Sequence, residues 1–296
     1  MKYRVVHRTE YTYQSAVSMG YNEAHLTPRG DHPGQRVRRH RIEVSPQPDY
    51  ISRRQDFFGN EVFYFVLQRP HARLVVVADS EIERLPESEG WARLSDRPWE
   101  DVRASIHADT SGVGIDVRSF VLDSPLVSRI PEVTAYAAVS FTPRRPFADA
   151  VEDFVRRVHQ EFTFDPAATT VSTPVIDVFR SRRGVCQDFA HLMIAGLRGL
   201  GLAARYVSGY LETLPPPGME KLIGSDASHA WVAVYEPGIG WSEHDPTNDI
   251  KPSKQHIVMA MGRDYSDITP LKGVVFGGGV VKETVVGVDV QRLDAS

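Results

Sequence analysis

The stretch RRGVCQDFAHLM, from Arg182 to Met193, holds the only cysteine of this 296-residue chain. A thiol attacks carbonyls as its thiolate, and a helix N-terminus favours that charge through unpaired N–H groups and aligned peptide dipoles. Cys186 follows two arginines and Gly184 and opens an apolar-periodic run, so the sequence predicts it at or beside a helix start. Free cysteines are also commonly buried as small hydrophobes. Taken alone, this stretch accommodates a packing residue and a nucleophile equally well.

A nucleophilic cysteine needs a histidine to take its proton and a third group to orient the imidazole. The stretch DASHAWVAVYEPGIGWSEHDPTN offers both on one predicted hairpin, with His229 opening the first strand and Asp245 closing the second. Reading EPGIG as the five-residue loop and pairing Tyr235 with Trp241 places Trp231 opposite Asp245. His229 and Asp245 then become diagonal neighbours on one face, about 7–8 Å apart and within side-chain reach. A register change of one residue would send them to opposite faces.

Other histidines compete for these roles. His191 falls five residues into the Cys186 helix, where it reads as a core or helix-surface residue. His244 alternates to the face away from Asp245 and is not expected to reach the His229 ring. A metal site built from Cys186, His191, His229 and His244 is conceivable, but no paired-ligand spacing such as C-x-x-C or H-E-x-x-H occurs. No metal and no organic cofactor is expected. The absence of G-x-S-x-G leaves a serine hydrolase without an anchor.

The elements that must carry these residues divide the chain. Residues 1–85 read as an antiparallel, all-β, sandwich-like domain: KYRVVHRTEYTY alternates, with Tyr3, Val5, His7, Thr9, Tyr11 and Tyr13 on one side. QRVRRHRIEVSP, NEVFYFVLQ and ARLVVVADSEIERL continue the pattern. The arginines of QRVRRHR could form a phosphate-binding strip, but 13 basic against 10 acidic residues over 1–85 favour a solvated strand face. Residues 86–142 read as a connecting helical or irregular layer. Residues 143–262 hold two helices, PFADAVEDFVRRVHQEF and the one from Cys186, and then antiparallel strands, an α+β order. Phe189, Leu192, Met193, Leu197 and Leu200 mark the core face of the second helix, and Gly199 and Gly201 its stop. LPPPGMEKLIGSDAS is an exposed, lid-like connection. Residues 263–296 read as strands packing on one of the two domains, with GGG as a flexible bend.

Composition narrows the function classes. With 42% hydrophobic residues, 24% charged residues and a net charge of -4, the chain can bury full cores and carries no bulk attraction for nucleic acid or anionic membranes. No apolar run reaches membrane-spanning or signal-peptide length, and one cysteine forms no intrachain disulfide. A cytoplasmic location is expected on these grounds.

RRGVCQDFAHLMIAGLRGLGLAARYVSGYLET, DASHAWVAVY and GWSEHDPTN resemble the core of bacterial transglutaminase-like proteins, relatives of transglutaminases and papain-type cysteine proteases. YRVVHRTEYTY, HLTPRG, DFFGNEVFYF and PHARLVVVADSEIE resemble the β-domain that precedes this core in one bacterial branch. The resemblance implies an α+β papain/transglutaminase-like fold behind an N-terminal sandwich. It implies Cys186 as nucleophile, His229 as base and Asp245 as orienting acid, with Gln187 and Asp188 in positioning roles. The residue before the aspartate, often aromatic or small in the branch, is here His244. Calcium, used by some animal relatives, has no acidic loop here to hold it. The implied activity is that of a cysteine protease or amidase on a peptide or protein substrate. Protein-glutamine gamma-glutamyltransferase activity and a non-catalytic peptide-binding protein on the same fold are the alternatives, and the β-domain could dock a partner in any of these cases.

Overall fold

The computed structural model describes residues 1–85, 92–212, 228–278 and 280–293. Six strands open the chain: β1 (Lys2–Val17), β2 (Met19–Ala24), β3 (Gln35–Ser45), β4 (Tyr50–Gln55), β5 (Glu61–Leu67) and β6 (His71–Arg84). Helices α1 (Trp99–Ala108), α2 (Gly112–Arg118), α3 (Pro131–Ala138) and α4 (Phe147–Glu161) follow. Then come β7 (Thr163–Phe164), α5 (Val175–Ser181), β8 (Arg183–Gly184) and α6 (Cys186–Gly199). The remaining strands are β9 (Ala204–Leu211), β10 (Ser228–Glu236), β11 (Gly240–His244), β12 (His256–Gly262), β13 (Leu271–Phe276) and β14 (Val281–Arg292).

Alternation in β1 buries Tyr3, Val5, His7, Thr9 and Tyr13 and leaves the intervening residues wetter. Two antiparallel sheets, ordered β14-β1-β6-β3 and β13-β2-β5-β4, enclose Leu26, Phe63, Phe65, Leu74 and Val76. The sandwich is therefore not completed within residues 1–85: each sheet takes an edge strand from the far end of the chain, with Tyr3 opposite Arg292 and Ala24 opposite Leu271. The β3 arginines face solvent and pair with acids of β6, Arg38 with Glu83 and Arg39 with Glu81.

In the second unit, α1, α2 and α3 share one apolar core with α4 and α6, so residues 99–138 pack as part of this unit. Helix α6 is buried on nearly every side from Asp188 to Arg198, a central helix rather than an amphipathic one. Its polar members are satisfied internally. Arg198 donates to the carbonyls of Phe120, Ala204 and Arg263. Beside α6 lies a sheet ordered β11-β10-β9-β12. In the β10–β11 hairpin Tyr235 faces Trp241 and Glu236 faces Gly240, so the connection is Pro237 to Ile239, shorter than EPGIG, with the register unchanged.

The β-sandwich closes the free edge of β12 with side chains. The Gln35 amide accepts from Val258 N–H at 2.9 Å and donates to Val258 C=O at 2.7 Å. Asn60 repeats the pattern on Met261, accepting at 2.9 Å and donating at 2.8 Å. Two amides thus do what a neighbouring strand would do. Replacing Gln35 with leucine strands the Val258 amide and leaves its carbonyl only the longer bond from Arg29 N–H at 3.3 Å, and a loss of about 2–3 kcal/mol is expected. Urea unfolding, read from the midpoint at constant slope, checks it.

Candidate active site

Cys186 is the first residue of α6, after Val185 in extended conformation. Asp188, three residues on, turns back to accept from Val185 N–H at 2.8 Å and from the Thr169 hydroxyl at 2.6 Å. This satisfies an orphan N–H at the helix start and fixes the turn that presents the thiol. Gly184 is required there: a Cβ would lie 2.7 Å from an Asp188 carboxylate oxygen. Burial pushes the Asp188 carboxyl up, against the pull of the Thr169 and Val185 hydrogen bonds. The Gln187 amide is turned away, donating to Val171 C=O at 3.0 Å.

His229 enters from the second position of β10. Its Nε2 lies 2.7 Å from Asp245 Oδ2, and the ring shares one cleft with Cys186, which leaves Nδ1 as the nitrogen open to the thiol proton. Cys186, His229, Asn248, Thr247, Ser228, Phe164 and Leu211 line a cleft of about 310 Å³. The thiol thus opens onto a groove with apolar flanks and, among the described lining residues, no carboxylate, lysine or arginine.

Asp245 is completely buried and accepts from several donors at once. Oδ2 takes His229, the Asn248 amide at 2.7 Å and His256 Nε2 at 3.1 Å. Oδ1 takes the backbone N–H of Thr247 at 2.9 Å and of Asn248 at 3.3 Å. Burial alone would raise its pKa, but the hydrogen bonds from His229, His256 and Asn248 hold the carboxyl well below the usual range. Burial would likewise discharge His229; the hydrogen bonds and charges of Asp245 and Cys186 outweigh it and raise the imidazole to about 10. The arrangement favours an imidazolium beside the buried Asp245 carboxylate.

His256 and Asn248 are absent from the sequence-based site. Asn248 sits in the DPTN motif, three residues past Asp245, where an amide commonly bonds its own turn. The place of His256 depends on β12 pairing with β9, and no local periodicity reveals that. His229, Asp245 and His256 bring ligand-type atoms within 4.8 Å of one another. The contacts are those of hydrogen bonds. A backbone N–H can only donate, and Ser253 N–H points at His256 Nδ1 at 3.2 Å, so the ring proton sits on Nε2 and faces Asp245. A cation there would need that nitrogen bare.

The competing histidines are elsewhere. His191 is a core residue, accepting from Tyr265 N–H at 3.2 Å and pushed down to about 4 by burial. His244 pairs with the Ser242 hydroxyl and is likewise lowered to about 4 by burial. It lines a separate cleft with Glu152, Arg156 and Lys251. Neither reaches the thiol. The connection read as a lid, residues 214–228, lies outside the described residues apart from Ser228.

Beneath the site, Trp231 packs its ring 5.9 Å from His229 and 5.2 Å from His256. Its Nε1 donates to Glu243, which in turn holds His32 of the β-sandwich at 2.8 Å. Burial would push Glu243 up, but His32, Trp231 and Arg205 bring it down to about 2. Gly209 of β9 makes room for the indole, since a Cβ there would lie 2.5 Å from the Trp231 ring.

Comparisons with known proteins follow the same division. Residues 3–83 match the bacterial transglutaminase-like N-terminal region and residues 135–246 the transglutaminase-like superfamily. An uncharacterized Mycobacterium tuberculosis protein is 40% identical over 296 residues, covering 98% of this chain and 92% of the relative. A Pseudomonas aeruginosa protein-glutamine gamma-glutamyltransferase is 31% identical over 156 residues, 45% of this chain and 23% of that enzyme. The fold matches a crystal structure of a candidate cysteine protease from Cytophaga hutchinsonii with a TM-score of 0.73 at 19% identity, covering 100% of this chain and 93% of that one. With both regions matched in order and a relative similar along almost its whole length, this chain belongs to the transglutaminase-like superfamily, in the bacterial branch with its own N-terminal β-region.

Proposed function

We propose that the chain is a cysteine enzyme that opens peptide or side-chain amides through a thioester on Cys186, with water as the final acceptor. The observation that carries this reading is the position of His229, bonded through Nε2 to a buried carboxylate and sharing a cleft with a thiol at a helix tip. His229 takes the thiol proton and the thiolate adds to the amide carbonyl. The C–N bond then breaks as the imidazolium protonates the leaving amine, and a thioester remains. Water attacks that thioester, His229 accepts its proton, and the C–S bond breaks to give a carboxylic acid and free thiol. The Cys186 backbone N–H, at the start of α6, supplies one half of the oxyanion hole in both steps of this reading.

A second reading replaces water by an amine and yields a new amide. The partial similarity to the Pseudomonas aeruginosa gamma-glutamyltransferase favours it. A cleft lined, among the described residues, by no carboxylate, lysine or arginine suits a neutral acyl side chain in either case. Iodoacetamide alkylation of Cys186 against pH, in the parent and in His229→Ala, tests the shared step. The parent is expected to react well below neutral pH and the variant only as an ordinary thiol, near pH 8.5. Identical profiles at that ordinary value in both proteins would leave a fold without its chemistry. Since the leaving amine needs the imidazolium proton, turnover is expected to fall as pH rises through about 10, where His229 loses its charge. Amine incorporation into a glutamine peptide, measured beside fragment release, separates transferase from hydrolase.

A further inference from the structure

His256 takes no part in the chemistry above, yet it is fully buried against the carboxylate on which that chemistry depends. Both ring nitrogens are committed. Nδ1 accepts from Ser253 N–H at 3.2 Å, so Nε2 carries the proton and donates it to Asp245 Oδ2 at 3.1 Å. The charged or titratable groups facing it are Asp245, His229 and, across the Trp231 ring, Glu243. Burial keeps the ring neutral in spite of Asp245. A neutral donor can steady a carboxylate without competing with the imidazolium for its charge, which a lysine or arginine there would do.

The geometry points to His256 as a positioning residue: a neutral N–H donor, locked in one tautomer, that holds the Asp245 carboxylate in line with His229. Oδ2 is shared between the two rings, so a rotation of the carboxylate that broke the His256 bond would also move the oxygen that His229 needs. The donor is itself held from outside the core. His256 opens β12, opposite Leu211 of β9, and the other edge of β12 is tied to Gln35 and Asn60 of the β-sandwich. The sandwich thereby sets the position of a group one hydrogen bond away from the proposed base-orienting acid.

This inference rests on the thioester reading, and the test keeps the two apart. Asparagine at 256 keeps an acceptor for Ser253 N–H but is too short to reach Asp245. Glutamine presents its amide nitrogen near the place of Nε2. Alkylation of Cys186 by iodoacetamide is followed at pH 6 and pH 9 in the parent, His256→Asn and His256→Gln. His256→Asn is expected to lose about 10²-fold in rate at pH 6, where reactivity needs the aligned imidazolium, with little change at pH 9. His256→Gln is expected to recover most of that loss. A pH 6 to pH 9 ratio in His256→Asn equal to the parent's overturns the inference, as does failure of glutamine to do better than asparagine. If neither variant folds, nitrogen NMR of the histidine-labelled parent decides: a proton on Nδ1 of His256, or a charged ring, overturns it. A parent whose thiol ignores His229 would instead overturn the thioester reading, and that outcome is seen in the His229→Ala comparison alone.

Discussion

Replacing Cys186 with alanine is expected to abolish amide turnover, by at least about 10⁴-fold, while the chain keeps its fold. The two halves of this expectation have separate causes. No other thiol exists in the chain, so the thioester has no substitute. The cost to folding is small because the thiol is only partly buried, at the rim of the helical core. The turn that presents it is made by Asp188, Val185 and Gly184, and alanine at the first helical position leaves all three intact. A loss of about 1 kcal/mol or less in stability is anticipated from thermal unfolding. Intact-mass measurement supplies the positive control: an acyl adduct accumulates on the parent with an activated ester and not on the variant. Turnover surviving in Cys186→Ala would remove the cysteine from the mechanism.

A second large effect is expected at Asp245, and here activity and stability fall together. In papain-like proteases an asparagine can orient the histidine. In this site the same exchange fails for a countable reason. Both carboxylate oxygens accept only: His229, His256 and the Asn248 amide converge on one, and two backbone N–H groups on the other. An asparagine must aim its own NH₂ at one of these donor sets, whichever way it flips. The buried imidazolium also loses its counter-charge. A fall of about 10⁴-fold in kcat and a loss of roughly 3–5 kcal/mol in stability are expected for Asp245→Asn. Steady-state kinetics beside denaturant unfolding measure both. Near-parental activity in that variant would mean that orientation by any hydrogen-bonding group suffices and that the charge is dispensable.

These two residues show what a sequence can and cannot carry. The contact between His229 and Asp245 was legible because it is local: strand parity and one aligned pair, Tyr235 with Trp241, decide it whatever the length of the turn. The helix start at Cys186 was legible from the onset of apolar spacing. The burial of α6 on all sides was not, because nothing local to Asp188, His191 and Arg198 announces their internal partners. Each is satisfied inside, by Thr169 and Val185, by Tyr265, and by carbonyls from three other segments. His256 was hidden for a different reason. Its strand lies beside β9, forty-odd positions earlier, and strand order in an antiparallel sheet is settled by packing between distant segments rather than by local pattern. The edge strands of the sandwich fall in the same class.

That last arrangement bears on how the molecule reaches its native state. Strands β1 and β2, near one end of the sequence, can pair early with β6 and β5, but each keeps an open edge until β13 and β14 arrive from the other end. All of the helical core lies between. Such pairing is slow because the loop it closes is nearly the whole chain. Meanwhile two rows of unpaired N–H and C=O groups stay available to other chains. The last two strands therefore set the window in which this protein can aggregate, and conditions that fold the helical unit quickly shorten that window more than any improvement to the sandwich itself.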